Sequence, residues 1–169
     1  MEAGRRNDPG RAPYATTAER KSDREMTVRR TFDAPARLVF EAWTRPELFR
    51  RWWVPRSMGM KLLSCEMDVR VGGGYRLVFA HGDGEFAFFG KYLEVTPYSR
   101  LSWTNEEGGE NGPITTVTFD ERDGRTHLAL SELHASKQSL DDNLGFAEGL
   151  RETFGQLDEL LAELSRAGS

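Results

Sequence analysis

Glu132 and His134 are the pair best placed to do chemistry in this 169-residue chain. They share strand parity with Leu128 and Leu130, so a strand that turns those leucines inward turns the carboxyl and the imidazole the same way. Two residues apart on one face, they can bind a polar group of a ligand or move a proton. The competing arrangement has the strand leaving the core before Glu132, with both side chains solvated. His81, His127 and His134 are the only histidines. His81 falls in a turn, and His127 has the opposite parity to His134. No HxxxH or CxxC spacing occurs, so neither a metal centre nor another cofactor is expected. Cys65, the sole cysteine, alternates with Leu63 and Met67 on what reads as the apolar face of a strand. That position suits a small buried hydrophobe rather than a nucleophile, and no Gly-x-Ser-x-Gly elbow is present. Glu66 and Asp68 share the other face, where Asp68 can pair with Arg70 or Arg76. Gly72-Gly73-Gly74 joins two strands, lacks a following Lys-Ser/Thr and opens no helix, so it is a hairpin turn and not a phosphate loop. No catalytic residue is assigned.

A second set is aromatic. Trp43, Trp52, Trp53, Phe79, Phe88, Trp103, Phe146 and Phe154 exceed what one helix-on-sheet layer needs. Aromatic walls with few polar groups are what a pocket for an apolar ligand requires. With Leu150, Glu132 and His134 they form the expected lining.

The element that positions this set is a helix over about Asp142 to Leu164. Ala147, Leu150, Phe154, Leu157, Leu161 and Leu164 recur in steps of 3 and 4, one face of an α-helix. Phe146 and Leu160 widen the stripe. Glu148, Glu152, Gln156, Glu159 and Glu163 mark the opposite, solvent face. Ser139, three residues before Asp142, suggests a variant capping box. Gly145 and Gly149 lower helix propensity, which fits close backbone approach, a flexible lid segment or a frayed start. Earlier in the chain, Thr27 to Phe32 reads as a strand. Asp33 can cap a short helix that opens at Pro35 and carries Leu38, Val39, Ala42 and Trp43. A second short helix after Pro46 carries Leu48, Phe49, Trp52 and Trp53. Six strands follow between Leu63 and His134, joined by short turns that make them antiparallel neighbours. Gly90 marks a bend or bulge.

These elements predict an α+β domain over residues 26–165. A curved antiparallel sheet of six to seven strands wraps a long C-terminal helix, and two short helices follow the first strand. A sheet curled about one helix leaves a cavity between them. Residues 1–25 hold almost nothing apolar and are expected to be a disordered tail, with residues 166–169 a second, short tail. Net charge is −4, which opposes general nucleic-acid binding. No apolar run approaches a membrane span. An N-terminus without an apolar h-region and a single cysteine point to the cytoplasm. Exposed aromatics near Trp52 and Trp53 would suit a homodimer surface.

Phe32-Asp33-Ala34-Pro35, Ala42-Trp43-Thr44, Pro46-Glu47-Leu48 and Arg51-Trp52-Trp53 resemble the opening of one subfamily of START-like (SRPBCC) proteins. That subfamily is related to the C-terminal domain of the activator of the 90-kDa heat-shock chaperone ATPase. Asp68 to Gly73 and Gly90 to Val95, with Pro97, Arg100 and Leu101, extend the similarity across about Thr27 to Leu164. Leu150 departs from it, standing where the family usually has Trp after Gly. The resemblance implies a helix-grip fold with a hydrophobic cavity under the long helix and no universal catalytic residues. Residues and resemblance together leave three readings: binding of a small hydrophobic or aromatic ligand, from the excess of aromatics; a chaperone-activator-like interaction module of the stress response, as the resemblance implies; or a cyclase- or hydrolase-type enzyme using Glu132 or His134.

Overall fold

The computed structural model describes residues 14–109 and 111–167. Eight strands form one antiparallel sheet in the order β1-β2-β8-β7-β6-β5-β4-β3. They are β1 (Thr17–Arg20), β2 (Glu25–Phe32), β3 (Lys61–Met67), β4 (Gly74–His81), β5 (Gly84–Thr96), β6 (Arg100–Thr104), β7 (Ile114–Arg122) and β8 (Arg125–Leu133). Helices α1 (Ala36–Thr44) and α2 (Pro46–Phe49) follow β2, and α3 (Lys137–Asp142) and α4 (Phe146–Ala167) follow β8. The sheet is curved and unclosed, and α4 lies on its inner face. This is the α+β helix-grip arrangement, with eight strands rather than six to seven.

The extra strand is β1, which overturns the expected tail from Thr17 onward. β1 pairs with β2 in register Thr17↔Arg29 to Arg20↔Met26, and all four of its residues are exposed. It buries no apolar stripe, so no periodicity announces it. Its stability comes from ladder hydrogen bonds to an otherwise open sheet edge. Arg20 adds an ion pair with Asp141 at 2.8 Å. The remainder of the expected N-terminal tail, residues 1–13, lies outside the described residues, as do 168 and 169. Arg166 and Ala167 belong to α4, not to a C-terminal tail.

The two short helices have physical starts and stops. Val39, Phe40, Ala42 and Trp43 form the buried face of α1. Pro46 follows its last turn and pushes Arg45 into extended backbone. The expected cap is replaced: Asp33 makes none, and Glu121 at the far end of β7 accepts from the Ala36 N–H at 2.9 Å.

The long helix begins later than its periodicity predicts. Ser136 caps α3 by accepting from the Ser139 N–H, and the chain breaks at Asn143 to Gly145 before α4 begins at Phe146. Ala147, Leu150, Phe154, Leu157, Leu160 and Leu161 are buried as expected. Gln156 is buried too, against its assignment to the solvent face. Its Nε2 donates to the Trp52 and Val54 carbonyls at 2.9 and 2.8 Å, and its Oε1 accepts from Arg56 N–H at 2.9 Å. The segment after α2 is thereby tied to α4.

In β3 the parity of the apolar residues changes at a bulge. Leu62 pairs with Phe79 and Ser64 with Val78, leaving Leu63 as the extra residue, 42% exposed. Leu63 is therefore not on the inner face with Cys65 and Met67. Asp68 pairs with Arg70 at 2.9 Å. The triglycine is the expected turn, and a Cβ at Gly73 would lie 2.1 Å from the Asp68 carbonyl oxygen. At Gly90 a Cβ would lie 2.1 Å from the Thr104 carbonyl oxygen, so close strand contact explains this glycine. The register shift in β5 falls instead between Tyr92 and Glu94.

Candidate functional site

Between the sheet and α4 lies a cavity of about 420 Å³. Its walls come from every layer: Trp43 of α1, Phe49 of α2, Trp53 to Pro55 after it, Leu77 and Phe79 of β4, Tyr92 of β5, Trp103 of β6, Leu130 of β8, and Phe146, Gly149, Leu150 and Thr153 of α4. Met58, Phe88, Glu107 and Asn143 line it from four different segments and are all exposed, so they mark the mouth.

The aromatic wall is a continuous stack. Trp43 sits 4.8 Å from Trp52, 5.7 Å from Trp53 and 5.9 Å from Trp103, ring centre to ring centre. Phe49 stacks on Trp53 at 4.9 Å. Offset and edge-on contacts of this kind fix ring orientation as well as burying area. Trp43 Nε1 is the one buried side-chain polar atom among the described residues without a hydrogen-bond partner. It is set among aromatic rings, whose faces accept only weakly.

Eight of the eleven expected lining residues do line the cavity: Trp43, Trp53, Phe79, Phe88, Trp103, Glu132, Phe146 and Leu150. Three do not. Trp52 is fully buried, with Nε1 donating to the Ala42 carbonyl at 2.9 Å. Phe154 packs edge-on against Phe32 at 5.5 Å, inside the core. His134 is 1% exposed and sealed behind Glu132. Trp52 being buried also removes the exposed aromatic pair on which a dimer surface rested.

The polar floor is built by register. Trp103, Thr115 and Glu132 are direct partners across β6, β7 and β8, so they project side by side on the inner face. Glu132 Oε1 lies 3.0 Å from His134 Nε2, and His134 Nδ1 lies 2.8 Å from Ser139 Oγ in α3. No hydrogen bond from a described residue reaches the second oxygen of Glu132. Burial, then the Glu107 carboxylate, pushes the Glu132 carboxyl up to about 7. Burial holds the His134 imidazole below its ordinary value, and so neutral. Beside them, Asn105 Nδ2 donates to Thr115 Oγ1 at 2.9 Å, and the Tyr75 hydroxyl donates to the Thr104 carbonyl at 2.7 Å.

Tyr75, Asn105, Thr115 and Glu107 escaped sequence reasoning because nothing in a linear pattern says that two strands and the loop after β6 converge. Cys65 is half-buried, with its Sγ 3.6 Å from Met67 Sδ, and burial raises its thiol pKa. A thiol held protonated is a poor nucleophile. Among the described residues no group of three or more His, Cys, Asp and Glu side chains could hold a metal ion. Among the described residues no helix is long and apolar enough to cross a membrane.

Comparison with known proteins agrees with this architecture. The family profile described as "Activator of Hsp90 ATPase homolog 1-like protein" matches residues 33–162. The chain belongs to this family. The activator-homologue-like match spans α1 through most of α4, the whole cavity included. Among solved structures, a Rhodobacter sphaeroides protein is 24% identical, with a TM-score of 0.81 over 88% of this chain and 99% of that one. A Nitrosomonas europaea protein is 26% identical, with a TM-score of 0.76 over 86% and 99%. One from Chromobacterium violaceum is 27% identical, with a TM-score of 0.68 over 81% and 96%. No curated protein matches.

Proposed function

We propose that this protein is a cytoplasmic binding module that holds a small hydrophobic or aromatic ligand between its sheet and α4. The observation that carries the reading is the cavity itself: about 420 Å³ walled by indole and phenyl rings with few polar groups. A volume of that size accommodates a drug-sized molecule. Cores are otherwise packed to crystal-like density, so a hollow of this size between sheet and helix calls for a use. Native mass spectrometry of protein purified from its own host, with a lipid and aromatic panel read by thermal shift, tests it. A retained mass, or a stabilising shift with one class of compound, is expected. No retained mass and no shift would remove it.

The family's description supports a second reading, an interaction module acting on a chaperone ATPase. Association in a pull-down with stimulated ATPase turnover would favour it, and absence of both would remove it. An acid–base enzyme is supported less. That reading needs both Glu132 and His134 within reach of one bound molecule, and His134 stands behind Glu132.

A further inference from the structure

The cavity has a charge sign as well as a size. Of the described residues lining it, Glu107 at the mouth and Glu132 at the floor carry carboxyls, and none is Lys, Arg or His. Two arginines next in sequence to wall residues are engaged outside it, Arg56 with Glu159 and Arg151 with Glu148. A negative field is felt inside. The Tyr75 hydroxyl is pushed far above its ordinary value by burial first, then by Glu107, Tyr92, Glu106 and Glu132. Facing these carboxyls are the indoles of Trp43, Trp53 and Trp103. Their ring faces are themselves electron-rich and attract cations.

We propose that the cavity selects an amphipathic amine, its apolar body among the indoles and its protonated nitrogen on the open oxygen of Glu132. This rests on the ligand-binding reading and narrows its ligand class. A fatty acid or other carboxylate of the same shape would sit beside two like charges with no counter-ion, an arrangement that rejects it. A neutral alcohol would gain the walls but not the charge pairing. Once ionised, Glu132 has a partner to hold it in place. With its proton on Nε2, the neutral His134 donates to Glu132 Oε1, while its Nδ1 accepts from the Ser139 hydroxyl. His134 and Ser139 are thus positioning residues that hold the carboxylate and leave one oxygen for the ligand. The titratable groups facing Glu132 are His134, Glu107 and Tyr75. None of the three is a cation at neutral pH, so the charge partner has to come from outside.

The test uses the full chain at pH 8 with the neutral fluorescent probe N-phenyl-1-naphthylamine, displaced by three ligands that share one naphthyl body. These are 2-(1-naphthyl)ethylamine, the corresponding alcohol, and 1-naphthylacetate. The amine is expected to displace the probe at about tenfold lower concentration than either other compound. Glu132→Gln is expected to lose that preference. The wild-type series decides by itself, whatever the variant does. Equal or better displacement by the alcohol or the carboxylate, with the probe bound, overturns the amine inference and leaves the cavity reading standing. Failure of the probe to bind overturns both.

Discussion

His134 Nε2 lies 3.0 Å from Glu132 Oε1, and of the two side chains only Glu132 reaches the cavity. This relationship makes the carboxyl both fixed in orientation and hard to ionise, because burial raises it and the neutral imidazole brings no charge to offset that burial.

Stability should therefore depend on pH through Glu132 in a definite sense. Its pKa is raised on folding, so between 4.5 and about 7 the unfolded chain releases this proton while the folded chain keeps it. Stability is lost as pH rises across that window, by roughly 3 kcal/mol at most, and the loss persists above it. His134 acts in the opposite sense: its lowered pKa removes stability as pH falls below about 6.5. Glu132→Gln isolates the first effect. Urea denaturation should show the variant gaining up to roughly 3 kcal/mol over wild type at pH 8 and almost nothing at pH 4. An equal gain at both would contradict the burial argument.

Gly149 supplies cavity volume by having no side chain. It lines the cavity inside α4, and a Cβ built there meets nothing within 4 Å. Close backbone approach is thus not why this glycine is present. Gly149→Phe should fill the space and weaken binding of N-phenyl-1-naphthylamine by about tenfold or more. Gly155 also has open space at its Cβ but is not part of the lining. Gly155→Ala should leave probe affinity alone and raise stability by up to about 1 kcal/mol, as expected for a glycine in a helix interior.

Gln156 should matter more than any glutamate on the same helix. Its three hydrogen bonds satisfy two carbonyls and one N–H of the segment after α2. Gln156→Leu leaves those groups unpaired and should cost about 3 kcal/mol. Glu159→Ala removes a pair whose members are each about two-thirds exposed, and should cost under about 0.5 kcal/mol. Chemical denaturation of the two variants gives the comparison directly.

Arg30 and Asp158 form an ion pair in which the guanidinium is 2% exposed and the carboxylate 24%. Arg30 also donates to the Tyr14 and Phe154 carbonyls at 2.9 and 3.3 Å. Removing the acid strands a buried cation, so Asp158→Ala should cost about 3 kcal/mol. Replacing both, as Arg30→Met with Asp158→Leu, should recover at least half of that loss, because the desolvation penalty disappears with the charges. Unfolding free energies of wild type, single and double variants decide it. A double variant less stable than Asp158→Ala would show the pair itself to be strongly favourable.

The chain's local patterns were sufficient for the two short helices after β2, for a long helix near the C-terminal end, for the antiparallel order of β3 to β8, for the turn at Gly72 to Gly74 and for most of the aromatic wall. Helical and strand periods report which residues face the core, and Trp43, Phe79, Trp103, Phe146 and Leu150 all lie on such faces. Tertiary structure alone decided the rest. β1 forms because β2 offers an unpaired edge, a property of the sheet and not of residues 17–20. One bulge at Leu63 reversed its facing, since strand parity counts residues and a bulge adds one. Gln156 and Arg30 are buried because backbone carbonyls from distant segments, with Asp158 for Arg30, meet them there. Glu132 and His134 share a strand face, yet one meets the cavity and the other the core. The difference arises because α3 closes over the end of β8 and places Ser139 on the imidazole. Periodicity is a local property, whereas the partner that satisfies a buried polar group is chosen by chain segments up to 128 residues apart.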